Sequence, residues 1–171
     1  GRLQLAVLEV ARGGMLRRGL PVGHARVAVV TNVASDHLGQ YGINTVADLA
    51  HVKLSVHRAL LPGGQLVSNA DDAQVVAAMP AMVRPVWFSL FPNSAQILAA
   101  RAAAMPCGWY EDGWLVLSDG AVTTRLIAAR DVPLTLGGAA RYNIENALAA
   151  GLAARALGLP DDAIRATLAA F

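Results

Sequence analysis

Lysine is almost absent from this sequence: Lys53 stands alone against thirteen arginines in 171 residues. Arginine stays protonated under all ordinary conditions, whereas a lysine amine can lose its proton and react. A chain that otherwise avoids lysine therefore marks Lys53 as a position where a guanidinium does not serve, with a solvated helix lysine as the ordinary alternative. Cysteine is as scarce, and a lone Cys107 excludes an internal disulfide and a cysteine metal cluster, which points to a reducing cytoplasm. Charged residues make up only 15% and the net charge is +2, with no basic stripe interleaved with aromatics, so nucleic-acid binding is not expected. Long apolar runs are missing too. The longest uncharged stretch, Pro85 to Ala100, holds two prolines, Asn93, Ser94 and Gln96, and does not meet the roughly 20 apolar residues of a membrane span. No secretory or transit pattern opens the sequence. Neither a Gly-x-x-x-x-Gly-Lys-Ser/Thr phosphate loop nor a Gly-x-Gly-x-x-Gly turn occurs.

What is present centres on residues 26 to 39. Arg26-Val-Ala-Val-Val-Thr-Asn-Val is a nearly continuous β-branched run, the pattern of a strand buried in a parallel sheet. Ligands of open α/β sheets bind beyond the carboxyl ends of the strands, and this end carries Asn32, Asp36 and His37. Thr45 to Asp48 then gives a helix-start signature, followed by Val46, Leu49, Val52, Val56 and Leu60 at helical spacing. Lys53 lies at the border of that stripe. His37 taken alone fits a structural histidine; Asp-His after a strand, one helix from a unique lysine, points to a site.

The rest of the chain repeats the alternation. Leu3 to Val10 reads as a further apolar strand ending in Glu9, which would bring Glu9 and the Asp36-His37 pair to one rim, and Arg12-Gly13-Gly14 follows as a turn or a close backbone approach. Arg12, Arg17 and Arg18 form the densest basic group, facing an anionic substrate or simply solvent. Leu61-Pro-Gly-Gly is a stop, Gln65 to Ser68 a strand ending in Asn69-Ala-Asp71-Asp72, and Asp71 or Asp72 caps a helix to about Met79. Val83 to Leu90 reads as a strand; Ile97 to Met105 is helical by composition, with a strand from Gln96 to Ala100 left open. Asp112-Gly113 and Asp119-Gly120 are hairpin signals for a three-stranded antiparallel meander. Asn143 and Asn146 share one helical face near the start of the last main helix, where an amide edge suits a planar base; an N-cap role for Asn143 is the plainer alternative. Asp161 is placed as the cap of a final short helix.

The expected fold is α/β: one domain over residues 1–171, a mostly parallel sheet flanked by helices, with a small antiparallel meander and without the phosphate-loop segment. Glu9, Thr31-Asn32 through Asp36-His37-Leu38-Gly39, the downstream Lys53, Asn69-Ala-Asp71-Asp72 and Asn143-Ile-Glu-Asn146-Ala-Leu-Ala-Ala, in this order, resemble the central domain of the Mur ligase superfamily. Within it, Glu9-Val-Ala-Arg12-Gly13-Gly14 and Asp36-His37-Leu38-Gly39-Gln-Tyr-Gly42-Ile43 are most similar to the ligase half of the cyanophycin synthetase family.

The resemblance implies an ATP-dependent ligase that forms an acyl phosphate and lets an amine attack it, here an amino acid such as arginine added to an aspartate carboxylate of an Asp-rich polymer. It implies ATP and Mg²⁺ as cofactors, Glu9 and His37 as metal residues, and a carbamylated Lys53 that holds metal or the acyl phosphate. Asn146, with Asn143 and Asn32, would serve the nucleotide, and Arg12 the polymer's carboxylates. The family's phosphate loop and nucleotide-closing domain are absent from these residues, so the chain looks like a fragment that does not turn over ATP alone. A noncatalytic binding or assembly domain of the same fold, or a folylpolyglutamate-synthase-like ligase, are the alternatives. If a sheet strand is missing, the open edge would template pairing with a second copy.

Overall fold

The computed structural model describes residues 5–35 and 38–171. Six strands form one sheet in sequence order: β1 (Ala25–Val30), β2 (Leu60–Asn69), β3 (Val86–Ser89), β4 (Cys107–Glu111), β5 (Trp114–Ser118) and β6 (Thr123–Ala128). The first four run parallel, and β4 to β6 are the expected antiparallel meander. Helix α1 (Arg12–Arg18) precedes β1, while α2 (Val46–Leu54), α3 (Ala73–Ala77) and α4 (Ala95–Ala102) are the three crossovers; α5 (Arg141–Ala156) and α6 (Asp161–Ala170) close the chain.

Right-handed crossovers between sequential parallel strands put their helices on one face. Side chains alternate accordingly. Leu66 and Val30 pack with Leu49, Leu54 and Val75 from α2 and α3, and Cys107, Trp109 and Val116 pack with Ile97 and Ala100 from α4. The opposite face presents Val67, Phe88, Leu115, Leu117 and Leu126 to Ile144, Leu148 and Leu152 of α5. Burying each such aliphatic or aromatic side chain is worth about 1.5–3 kcal/mol, so the two apolar layers fix which way every strand end points. Gly108 lets α5 lie close, since a Cβ there would sit 2.8 Å from Leu117 and 3.1 Å from Leu152.

Several boundaries differ from the sequence reading. The described part of the Leu3 to Val10 run, residues 5–10, carries no strand, and Leu5, Val7 and Leu8 are exposed. An apolar run becomes a strand only where a neighbour accepts its backbone hydrogen bonds. Among the described residues β1 pairs with β2 alone, so it is an edge strand, and Val29 is 41% exposed rather than buried. The Pro62-Gly63-Gly64 signal does not stop the chain before β2 but falls inside it, where the register against β1 slips between Ala25 and Val27. The open choice after Ile97 resolves to helix α4, whose Ser94 hydroxyl accepts from the Ile97 amide. Asp161 is not a cap: it is the first residue of α6 and holds the Arg155 guanidinium through both oxygens.

Gly120, in the β5–β6 turn, has φ +98, and a Cβ there would collide with the Ala104 carbonyl. Gly120→Ala is expected to lower unfolding stability by more than about 2 kcal/mol, read as a reduced urea midpoint with an unchanged slope.

Candidate functional site

The carboxyl ends of β1 and β2 and the start of α3 meet the N-terminal turns of α5 in a cavity of about 370 Å³ lined by Asn32, Val33, Asn69, Asp71, Asp72, Ala73 and Glu145. Two adjacent carboxylates build its floor. Asp72 caps α3 by accepting from the Gln74 and Val75 amides, and its second oxygen accepts from Val33 N at 2.6 Å, reaching across to the end of β1. Asp71 accepts from the Ser89 hydroxyl and from Leu90 N at the end of β3, while Asn69 turns its own side-chain oxygen onto the Asp71 amide. These two aspartates accept from backbone and hydroxyl donors, which fixes their place at the cavity wall.

Glu145 is different. Among the described residues its side-chain hydrogen bond is a long one from the Asn69 amide, 3.5 Å, and it lines the cavity from α5. Burial raises its pKa, the Asn69 hydrogen bond and Arg141 pull it down, and Asp71 and Asp72 push it up further. Sequence reasoning quoted Glu145 only as part of a motif. The available signal was its place between Asn143 and Asn146, two asparagines already assigned to the site.

Lys53 reaches this rim. A capping box between Thr45 and Asp48 starts α2, and the helix then carries the Lys53 ammonium to the Asn32 carbonyl at 2.9 Å. Lys53 and Asn32 are thus in direct contact, and Asn32 joins them to the cavity. On α5, Asn143 is buried and is not an N-cap, since Ala140 holds that position; its amide instead donates to the Leu134 carbonyl at 2.7 Å. Its remaining oxygen faces the Asn146 amide at 3.5 Å, and Asn146 is exposed. That exposed amide keeps a donor and an acceptor for a planar base.

Glu9 lies in the exposed, non-strand segment before α1 and does not line the cavity. His37 and Asp36 fall outside the described residues. Arg12 opens α1 and donates to the Gln40 side chain at 3.1 Å. Cys107 is buried, and burial pushes its thiol up, against the demands of a nucleophile. Among the described residues no three His, Cys, Asp or Glu side chains gather into a metal cage. Magnesium carried by a nucleotide asks for less, one or two carboxylates with phosphate and water completing the octahedron, and the oxygen-rich rim fits that demand. No helix among the described residues is long and apolar enough to cross a membrane.

Comparison with known proteins matches residues 1–154 to the Mur ligase middle domain. The chain is 41% identical over 170 residues to the cyanophycin synthetase of Trichormus variabilis, covering 99% of this chain and 19% of that protein. It is 40% identical over 171 residues to that of Synechocystis sp., covering 99% and 20%. The UDP-N-acetylmuramate--L-alanine ligase of Methylibium petroleiphilum is 34% identical over 146 residues, 85% of this chain and 29% of that protein. The chain therefore spans about a fifth of the length of the cyanophycin synthetases it matches.

A raised carboxylate pKa means that folding disfavours the ionised form, so Glu145 weakens the fold above its folded-state pKa. That loss disappears as pH falls below the ordinary glutamate value of 4.5. Glu145→Gln is expected to raise the Tm at pH 8 and to leave it unchanged near pH 3.5, in thermal scans of both proteins across that range.

Proposed function

This chain belongs to the Mur ligase family through the middle domain of those enzymes, and from that premise we propose that it is the central part of an ATP-dependent amide ligase of the cyanophycin-synthetase type. The observation that carries the reading is the delivery of the sole lysine to the strand-end rim, with Lys53 Nζ on the Asn32 carbonyl beside the Asn69–Glu145 cavity.

The chemistry asks for such a rim. A carboxylate resists attack by an amine because oxide is a poor leaving group; phosphorylation supplies a good one, and the phosphoryl transfer needs positioning and charge neutralisation rather than covalent help. In the proposed assignment Asn146 reads the adenine edge, oriented by Asn143, and Asn32 holds the turn that meets the phosphates. Glu9 and His37 would hold Mg²⁺, which when bound neutralises charge on the transferred group; an imidazole is not the usual donor for this ion, so Glu9 is the stronger ligand of the two. Lys53, as a carbamate, would present an anionic oxygen pair at the place where its amine now sits. Carbamylation consumes one CO₂, forms an N–C bond and releases one proton from the amine. A guanidinium cannot take this step as readily, which accounts for the one lysine in an arginine-rich chain.

The substrates proposed are an amino acid such as arginine as the amine and an Asp-rich polymer as the acid, with Arg12 toward the polymer's carboxylates. The 171-residue chain by itself is proposed not to turn over ATP, because it carries no lysine-bearing glycine loop for the phosphates.

In the full-length parent enzyme, Lys53→Ala is expected to lower amide formation by about 100-fold or more, and millimolar short-chain carboxylate to restore part of it. Undiminished activity of the variant overturns the role of Lys53, and absence of rescue counts against the carbamate. ADP release coupled to amide formation by the 171-residue chain alone would contradict its dependence on a supplied phosphate loop.

A further inference from the structure

The loop over residues 38–43 follows the Asp36-His37 pair in sequence and leads into the helix that carries Lys53. Its base is anchored. Ile43 is 9% exposed and packs with Val33 and Leu49, and a small bridge closes the loop through Gly39 N to Ile43 O at 2.8 Å and Ile43 N to Gln40 O at 3.1 Å. The tip is another matter. Gly39 and Gly42 have φ 84 and 77, and between them Tyr41 sits at φ 56 in the left-handed region, where glycine rests without cost and a bulky L-residue does not. A tyrosine held there needs a compensating contact.

Helix α1 provides it. The Arg17 guanidinium lies over the Tyr41 ring at 5.6 Å from its centre, and Arg12 donates to Gln40 at 3.1 Å. Arg17 also donates from its Nε to the Gly13 carbonyl at 3.1 Å, which orients the guanidinium. The helix in turn packs by α2: Met15 is buried, its sulfur 4.0 Å from the hydroxyl of Ser55 just past α2, which itself donates to the Val52 carbonyl at 2.7 Å. Arg12 comes three residues after Glu9 and Gln40 three residues after His37, so this contact ties together the two segments that carry those residues.

We propose that Arg12 and Arg17 are positioning residues that clamp the 38–43 loop to α1 and thereby set the geometry between the Glu9 segment and the Lys53 helix. Each contact is exposed and worth no more than a several-fold shift in population, similar in size and opposite in sign to the cost of a left-handed tyrosine. The loop's arrangement is therefore decided by the clamp, and removing one arm redistributes it. The role in catalysis rests on the ligase reading above; the clamp itself does not.

Arg17→Ala and Tyr41→Ala are compared with wild type and with Tyr41→Phe, which keeps the ring, in two measurements. In the 171-residue chain, amide exchange at Gly39 and Ile43 is expected to accelerate about 5- to 10-fold in both alanine variants and to stay at the wild-type rate in Tyr41→Phe. Exchange within twofold of wild type in both alanine variants overturns the clamp. In the parent enzyme the same two variants are expected to lose kcat with KM for ATP unchanged, with Tyr41→Phe restoring it. An unchanged kcat in both, in a parent whose wild type makes the amide, overturns the positioning role and leaves the ligase reading intact. A wild-type parent that releases no ADP overturns the ligase reading and the positioning role together, and the exchange rates still decide the clamp.

Discussion

The rim depends on a pair of neighbouring carboxylates at the end of β2. Asp72 holds the Val33 amide at the end of β1, Asp71 holds the Leu90 amide and the Ser89 hydroxyl at the end of β3, and together they tie three parallel strand ends into one surface. Strand termini in a parallel sheet leave backbone donors with no ladder partner, and an unpaired buried donor costs about 1–3 kcal/mol. Carboxylates answer that need more strongly than neutral side chains do, since a charged acceptor makes the shorter and stronger bond. What results is a fixed edge against which Lys53, Asn32 and Glu145 can be aligned. Among the described residues Glu145 is the carboxylate of this cavity held by the fewest hydrogen bonds, a single long one from Asn69.

Much of this was legible in the chain. Element types from β1 to α6, apart from α4, which stayed open between helix and strand, follow from hydrophobic period and turn chemistry, because local and tertiary preferences agree there: Thr45 with Asp48 starts α2, and Asp112-Gly113 and Asp119-Gly120 turn the meander. The sequence reading placed Lys53 and Asn32 near one rim but named no contact between them; Lys53 lies in the last turn of α2, and its long side chain brings the ammonium to the Asn32 carbonyl. What failed was the run before Glu9. Its composition suits a strand, but strand formation is a property of two segments, and a hydrophobic pattern reports only one of them. The same reason explains β1, whose unbroken apolar sequence reads as central while Val29 lies open at the edge. Glu145 escaped because nothing in sequence says that α5 begins over the end of β2. Only the packing of Ile144 and Leu148 against the sheet rotates the helix so that residue 145 meets Asn69.

The site joins two kinds of positioning with different rigidity. The Asn69–Asp71–Asp72 floor and the α5 asparagines stand on buried strands and a sixteen-residue helix, where the apolar layers hold them. The Glu9 segment and the 38–43 loop stand on surface contacts whose individual worth is close to thermal energy. Under the ligase reading this division lets the nucleotide edge stay fixed while the other side opens and closes around its ligands. Charge distribution fits the same division. Arg12, Arg17 and Arg18 lie on the surface-held side, and the carboxylates Asp71, Asp72 and Glu145 line the fixed cavity, so under the ligase reading a nucleotide phosphate would meet that cavity through a cation such as Mg²⁺ rather than as a free anion.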